Sequence, residues 1–217
     1  MAFFLVIEGL DGSGTTTQCA AVAGALRQQG RAVSTSYEPS SGPVGTLIRQ
    51  VLTGRLVVPA DDGGSPRPLG RQTMALLFAA DRLDHLEAQV EPALARGEVA
   101  ISDRYYHSSF AYQGDVEGEL DPDYLWVEEL NSRARSPDLT VYLEATAELC
   151  LSRLGDRGRP ELYETEQKLT RLEHRYEEVM TRLERRGEEI FRVDASLPAE
   201  EITRQIVEQV VGEVGGE

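Results

Sequence analysis

A chain of 217 residues, 41% hydrophobic and 27% charged, can build one sizeable α/β core and leaves little for a second domain. Its net charge of −15 excludes a general binder of nucleic acid or of an anionic membrane, which needs a basic face. A small anion pocket remains open to it, because a few arginines create a local positive field.

The apolar run Phe3-Phe4-Leu5-Val6-Ile7 is too short to span a bilayer and lacks the basic flank and cleavage site of a leader. It predicts a first strand and a cytoplasmic protein. Gly9-Leu10-Asp11-Gly12-Ser13-Gly14-Thr15-Thr16 follows with the spacing of a P-loop, in which backbone N–H groups at a helix start wrap nucleotide phosphates. Gly9, Gly12 and Gly14 allow the curl, Ser13, Thr15, Thr16 and Thr17 open the helix, and Thr16 falls where a hydroxyl ligates Mg²⁺. Thr15 stands where the motif has a lysine reaching the β- and γ-phosphates. The only lysine of the whole chain is Lys168, so a lysine-poor composition accounts for part of that substitution.

Ala20, Val22, Ala23 and Leu26 give a helical stripe that Gly30 terminates, and residues 32–37 predict a second strand. Val44, Leu47, Ile48, Val51 and Leu52 mark an amphipathic helix. Residues 54–68, with Pro59, Gly63, Gly64, Pro66 and Pro68, predict a loop. A long helix carries Met74, Leu77 and Phe78, and Pro92 is expected to kink its continuation before Gly97 closes it. Val99–Ser102 predicts a buried central strand. Asp121-Pro122 reads as an N-cap with proline at the first helical position. Residues 139–143 predict a strand, followed by a helix through Leu149 and Leu154, a Gly/Arg-rich loop at 155–160 and a charged helix over about 163–186. Phe191–Val193 is a last strand, and Ile202, Ile206, Val207, Val210 and Val211 stripe a last helix. This alternation predicts an α/β fold with a mostly parallel central sheet covered by helices on both faces, in one domain. Cys19 and Cys150 fall on apolar helix faces, without metal or disulfide spacing, and are expected as buried free thiols.

Asp103-Arg104 ends the strand Val99–Ser102, on the side of a parallel sheet where ligands gather. A carboxylate there can hold Mg²⁺ and an arginine can neutralise a transferred phosphoryl group, although a structural ion pair gives the same two letters. The neighbours decide. Residues 103–114, Asp103-Arg104-Tyr105-Tyr106-His107-Ser108-Ser109-Phe110-Ala111-Tyr112-Gln113-Gly114, closely resemble the thymidylate kinase signature. Phe78-Ala79-Ala80-Asp81-Arg82 resembles that family's Phe-x-Ala-Asp-Arg segment, and Glu38-Pro39 with Arg49 ten residues on resembles its Glu-Pro loop and phosphate arginine.

The resemblance implies a P-loop NTPase fold with a lid over about 153–164, and phosphoryl transfer from ATP, with Mg²⁺, to dTMP in dTTP synthesis. It implies that Phe78 stacks on thymine, Arg82 bonds its carbonyl edge, and Ser109 and Gln113 meet the base. It further implies that Tyr112 crowds the 2′ position, that Arg49 and Arg104 hold the acceptor phosphate, and that Glu38 belongs to the acceptor site. Asp11 matches an acidic residue contacting the 3′-hydroxyl, and Thr16 with Asp103 matches the metal site. Glycine at Gly12 resembles members that take their catalytic arginine from the lid, which points to Arg157 or Arg159, with Arg153 behind them. The lid departs from the family's usual Asp-Arg-x-Glu ending, showing Glu161-Leu162-Tyr163-Glu164, and Tyr37 replaces an arginine common before Glu-Pro. Homodimerisation through helix faces is the family habit. Two other readings stay open: a catalytically impaired nucleotide-binding relic of the same fold, and a kinase for another nucleoside monophosphate.

Overall fold

The computed structural model of the protein describes residues 2–60, 64–114, 123–155 and 166–215. Among them, five strands form one all-parallel sheet: β1 (Phe3–Gly9), β2 (Val33–Tyr37), β3 (Val99–Asp103), β4 (Leu139–Glu144) and β5 (Ile190–Asp194). Their order is β2-β3-β1-β4-β5, so the chain builds out on one side of β1 and then on the other. The carboxyl end of β1 therefore lies where the strand order reverses, the position at which open α/β sheets bind ligands.

Every residue of β1 is buried, because both faces of the sheet are covered. Phe3, Leu5 and Ile7 join Val22, Ala23 and Leu26 of α1 (Thr15–Gln28), Cys150 of α7 (Ala147–Gly155) and Ile206 of α9 (Ala199–Gly215). Phe4 and Val6 point the other way, to Tyr105 and Phe110. That second layer is built from α3 (Arg71–His85), α4 (Glu91–Ala95), α5 (Tyr106–Gln113), α6 (Asp123–Leu130) and α8 (Glu166–Glu184). A third cluster, Ile48, Val51 and Met74, joins α2 (Pro43–Leu52) to α3.

The expected strands and helices are all present, and the parallel sheet is the one anticipated. Pro92 acts differently from a simple kink. It sits in the first turn of α4, and the five preceding residues, Leu86–Val90, form a π-helical stretch linking α3 to α4. Proline has no N–H to continue the α ladder, and a π-turn absorbs the change in register. The Asp121-Pro122 cap, the lid residues 156–165 with Arg157 and Arg159, and part of the proline-rich loop (61–63) lie outside the described residues.

Candidate active site

β1 runs into the loop without a break. The Ser13 amide donates to the Leu10 carbonyl at 3.0 Å, and α1 begins at Thr15. Gly12 and Gly14 have φ of 91° and 107°, a region that L side chains enter at a cost. Thr15 is buried in the first turn, and its short neutral side chain cannot replace the charge of a lysine. Arg153 braces the loop from α7: its guanidinium donates to the Ser13 carbonyl at 3.0 Å and to the Ala195 carbonyl at 2.8 Å.

At the ends of α1 and β3, Thr16 Oγ1 donates to Asp103 Oδ2 at 2.5 Å. The other carboxylate oxygen, Asp103 Oδ1, is buried and has no hydrogen-bond partner among the described residues. A hydroxyl beside an orphaned carboxylate oxygen is a hard oxygen pair that suits Mg²⁺, which takes one or two protein ligands and fills the rest with water and phosphate.

Arg104 follows with φ of 72°, the one positive value outside glycine among the described residues. Two contacts hold this conformation: its amide donates to the Ile7 carbonyl at 3.0 Å, and Ser102 Oγ donates to its carbonyl at 2.7 Å. The side chain thereby turns back over the P-loop. Arg104 Nη2 donates to Asp11 Oδ1 at 2.6 Å, while the Tyr112 phenol donates to Asp11 Oδ2 at 2.8 Å. Burial works against the Arg104 charge, but Asp11, Tyr176, Tyr112 and Glu8 outweigh it and hold the guanidinium protonated well above its usual range. Burial, then Asp11, pushes the Tyr112 phenol well above its usual range, so it stays a donor.

A cleft opens beside this pair. Asp11, Glu38, Phe78, Arg82, Arg104, Ser109, Tyr112 and Gln113, all singled out from the sequence, line it together with Leu52 and Tyr105. At its far end Arg82 is buried, with Nη2 donating to Glu38 Oε2 at 2.6 Å and to Ser109 Oγ at 3.2 Å, and Nη1 donating to Asn131 Oδ1. Glu38 Oε1 pairs with His85 Nδ1 at 3.1 Å, so Glu38 faces these two side chains directly. Two side-chain atoms of cleft-lining residues, Arg82 Nε and Gln113 Oε1, are buried and unpartnered among the described residues: one donor and one acceptor.

Arg49 is not among the cleft's lining residues. Its guanidinium donates to the Pro39 carbonyl at 2.6 Å and lies 5.9 Å over the Tyr37 ring, at the rim. Lys168 lines a neighbouring cleft with Arg71 and Arg171, which shares Leu52, Tyr112 and Gln113 with the first. Sequence reasoning missed Glu8, His85, Asn131 and Tyr176. Glu8 had a legible signal, being a carboxylate at the end of an apolar strand; His85 and Tyr176 sit on helical faces that look like any other, and Asn131 in the turn that follows α6.

A parallel sheet with a glycine loop at its switch point, a hydroxyl–carboxylate pair beside the loop and an arginine-lined cleft define a P-loop nucleotide kinase fold. Residues 7–206 match the family described as "Thymidylate kinase". A "Probable thymidylate kinase" of Thermococcus gammatolerans is 36% identical over 215 residues, covering 99% of this chain and 98% of the relative. A "Thymidylate kinase" of Synechococcus sp. (strain RCC307) is 36% identical over 94% of this chain and 92% of its own. Another of that name, from Thermomicrobium roseum, is 39% identical over 70% and 68%. The chain belongs to the thymidylate kinase family.

Proposed function

We propose that this protein transfers the γ-phosphoryl group of ATP to dTMP, giving dTDP and ADP. The observation that carries the reading is the polarity of the cleft. Phe78, Arg82 and Gln113 line it, with Arg82 Nε and Gln113 Oε1 unpartnered among the described residues, and Arg104 with Asp11 lines it beside the P-loop. An aromatic ring with one donor and one acceptor suits a pyrimidine base, and a guanidinium suits its 5′-phosphate.

Phe78, Ser109 and Gln113 hold the base with Arg82, which Glu38 orients. Tyr112 closes on the sugar and Asp11 accepts its 3′-hydroxyl. Arg104, with Arg49 at the rim, holds the acceptor phosphate. The loop amides from Gly9 to Thr17 wrap the ATP phosphates, and Thr16 with Asp103 would hold Mg²⁺, which would supply positive charge to the phosphates. Asp103 and Thr16 would then exchange their mutual hydrogen bond for metal ligation. Arg157 or Arg159 supplies the charge that Thr15 does not, with Arg153, which braces the loop, behind them. Arginines in this role give about 10³- to 10⁵-fold. We further propose a cytoplasmic homodimer, with the exposed Leu47, Leu76, Leu83 and Leu125 on the adjoining helices α2, α3 and α6 forming the apolar face between copies.

The test is ADP release from ATP·Mg²⁺ with dTMP, dUMP, CMP or AMP, run beside Thr15→Lys. Turnover with dTMP well above the other acceptors is expected in the native protein. Recovery only in Thr15→Lys would mean that the acceptor site persists and the donor site has lapsed, the second reading that Thr15 favours. Silence from both proteins would overturn the kinase.

A further inference from the structure

Arg104 is held from two sides, and only one of them is Asp11. On the other, Arg104 Nη1 donates to Ser108 Oγ and to the Tyr176 hydroxyl, both at 3.0 Å. Each of those hydroxyls donates onward to one oxygen, Glu8 Oε2, at 2.9 Å from Ser108 and 3.2 Å from Tyr176. Glu8 is fully buried, and its second oxygen accepts the backbone amides of Tyr105 at 2.7 Å and Ser108 at 3.1 Å. A buried carboxylate with four donors is fully satisfied.

A hydroxyl has one proton and two lone pairs. The two hydroxyls also lie 2.9 Å apart, so their protons run to the carboxylate directly or, for one of them, through the other hydroxyl, and in each arrangement a lone pair of both is left facing the guanidinium. Burial, then Glu8, pushes the Tyr176 phenol well above its usual range, so its proton stays in place. We propose that Glu8 is a positioning residue for phosphoryl transfer: through these two hydroxyls it fixes the direction of Arg104 Nη1 while Asp11 holds Nη2, so that the guanidinium presents its remaining edge to the acceptor phosphate. This rests on the reading of the cleft as a dTMP site.

The discriminating variant is Glu8→Gln. An amide of the same shape keeps an oxygen for the Tyr105 and Ser108 amides but turns an NH₂ toward the hydroxyls. Their protons then point at Arg104 and the chain of hydrogen bonds reverses. The readout is the ratio of affinities for dTMP and thymidine, measured by calorimetry, because thymidine has the base and sugar but no phosphate for Arg104. Glu8→Gln is expected to weaken dTMP by about ten- to a hundredfold and thymidine by less than about twofold. In an Arg104→Ala background the same substitution should leave dTMP affinity unchanged. If Glu8→Gln does not fold, Ser108→Ala with Tyr176→Phe removes both links and should give the same split. Equal losses for the two ligands, or no loss, would overturn the inference. A native protein that binds dTMP no better than thymidine would overturn the inference and the proposed function together; normal native preference with an unchanged split sinks the inference alone.

Discussion

Gly12 sits where no side chain fits. A Cβ there would lie 2.8 Å from the Cys150 carbonyl oxygen and 3.1 Å from Leu154 Cγ, and φ is already 91°. The opposing atom is helix backbone and cannot swing aside, so α7 must move or the loop must uncurl. Backbone strain of this kind costs about 1–3 kcal/mol. Gly12→Ala should raise the KM for ATP at least about tenfold while leaving thymidine affinity within about twofold. An unchanged KM would mean that the loop does not hold the donor in this conformation. Residue-scale features like this one were legible, because glycines at fixed offsets form a local pattern. The partners of Arg82 and Arg104 were not. Glu8 meets Ser108 across 100 positions and Tyr176 across 168, and no window of sequence contains both ends of such a bond.

Helix α5 shows the same limit at the scale of an element. Its eight residues contain no N-cap hydrogen bond of their own, and the helix-opening amides of Tyr105 and Ser108 are satisfied by Glu8 from β1. The segment was recognisable as a motif, but its helical start depends on a carboxylate elsewhere. The first turn of α5 is tied down again: the Tyr106 phenol donates to Glu188 Oε1 at 2.9 Å, and His107 Nε2 meets Glu188 Oε2 at 3.2 Å. Burial raises the Glu188 carboxyl, but hydrogen bonding and charge from His107 and the Tyr106 hydrogen bond outweigh it and leave it below its usual range. A carboxylate depressed on folding contributes stability above its unfolded value, and that contribution fades as pH falls through the folded one. Glu188→Gln should therefore lower the Tm at pH 7 by about 2–8 °C, on the basis of about 1–2 kcal/mol for this pair of contacts. The gap from the native protein should narrow below about pH 4.3 and close as the pH falls further. A gap that widens in acid would put the source of the stability elsewhere.

At the scale of the molecule, the alternation of strand and helix announced a parallel sheet with two covered faces, and β1 shows why. Its odd-numbered side chains feed one core cluster and its even-numbered ones the other. The strand order β2-β3-β1-β4-β5 had no sequence signal, since it is set by which crossover packs where. Quaternary structure is decided by what the sheet's helices leave outside. Leu76 and Leu83, one heptad apart on α3, are 51% and 43% exposed. Leu83→Asp would place a charge in a face between copies, so sedimentation should show a dimer for the native chain and a monomer for the variant at micromolar concentration. A native monomer would remove the dimer from the proposal.

The two thiols give a probe of how far that architecture unfolds as one unit. Cys19 on α1 and Cys150 on α7 are both buried in the cluster against β1 and β4. Burial, then Asp103 and Glu8, raises the Cys19 thiol well above its usual range, and burial pushes Cys150 up to about 11. At pH 8 neither offers an appreciable thiolate or a path for a reagent, so labelling requires opening. α1 carries the P-loop and α7 its brace, Arg153, so the two helices cannot leave the sheet separately without releasing the loop. An aqueous thiol reagent at pH 8 should therefore modify both cysteines in one concerted phase, on the same denaturant curve as the sheet. Saturating dTMP at a hundred times its Kd should slow that phase by about a hundredfold, because the ligand binds only the closed form. Early modification of Cys150 alone, indifferent to dTMP, would instead identify α7 as a separate opening unit and uncouple the brace of the loop from the acceptor cleft.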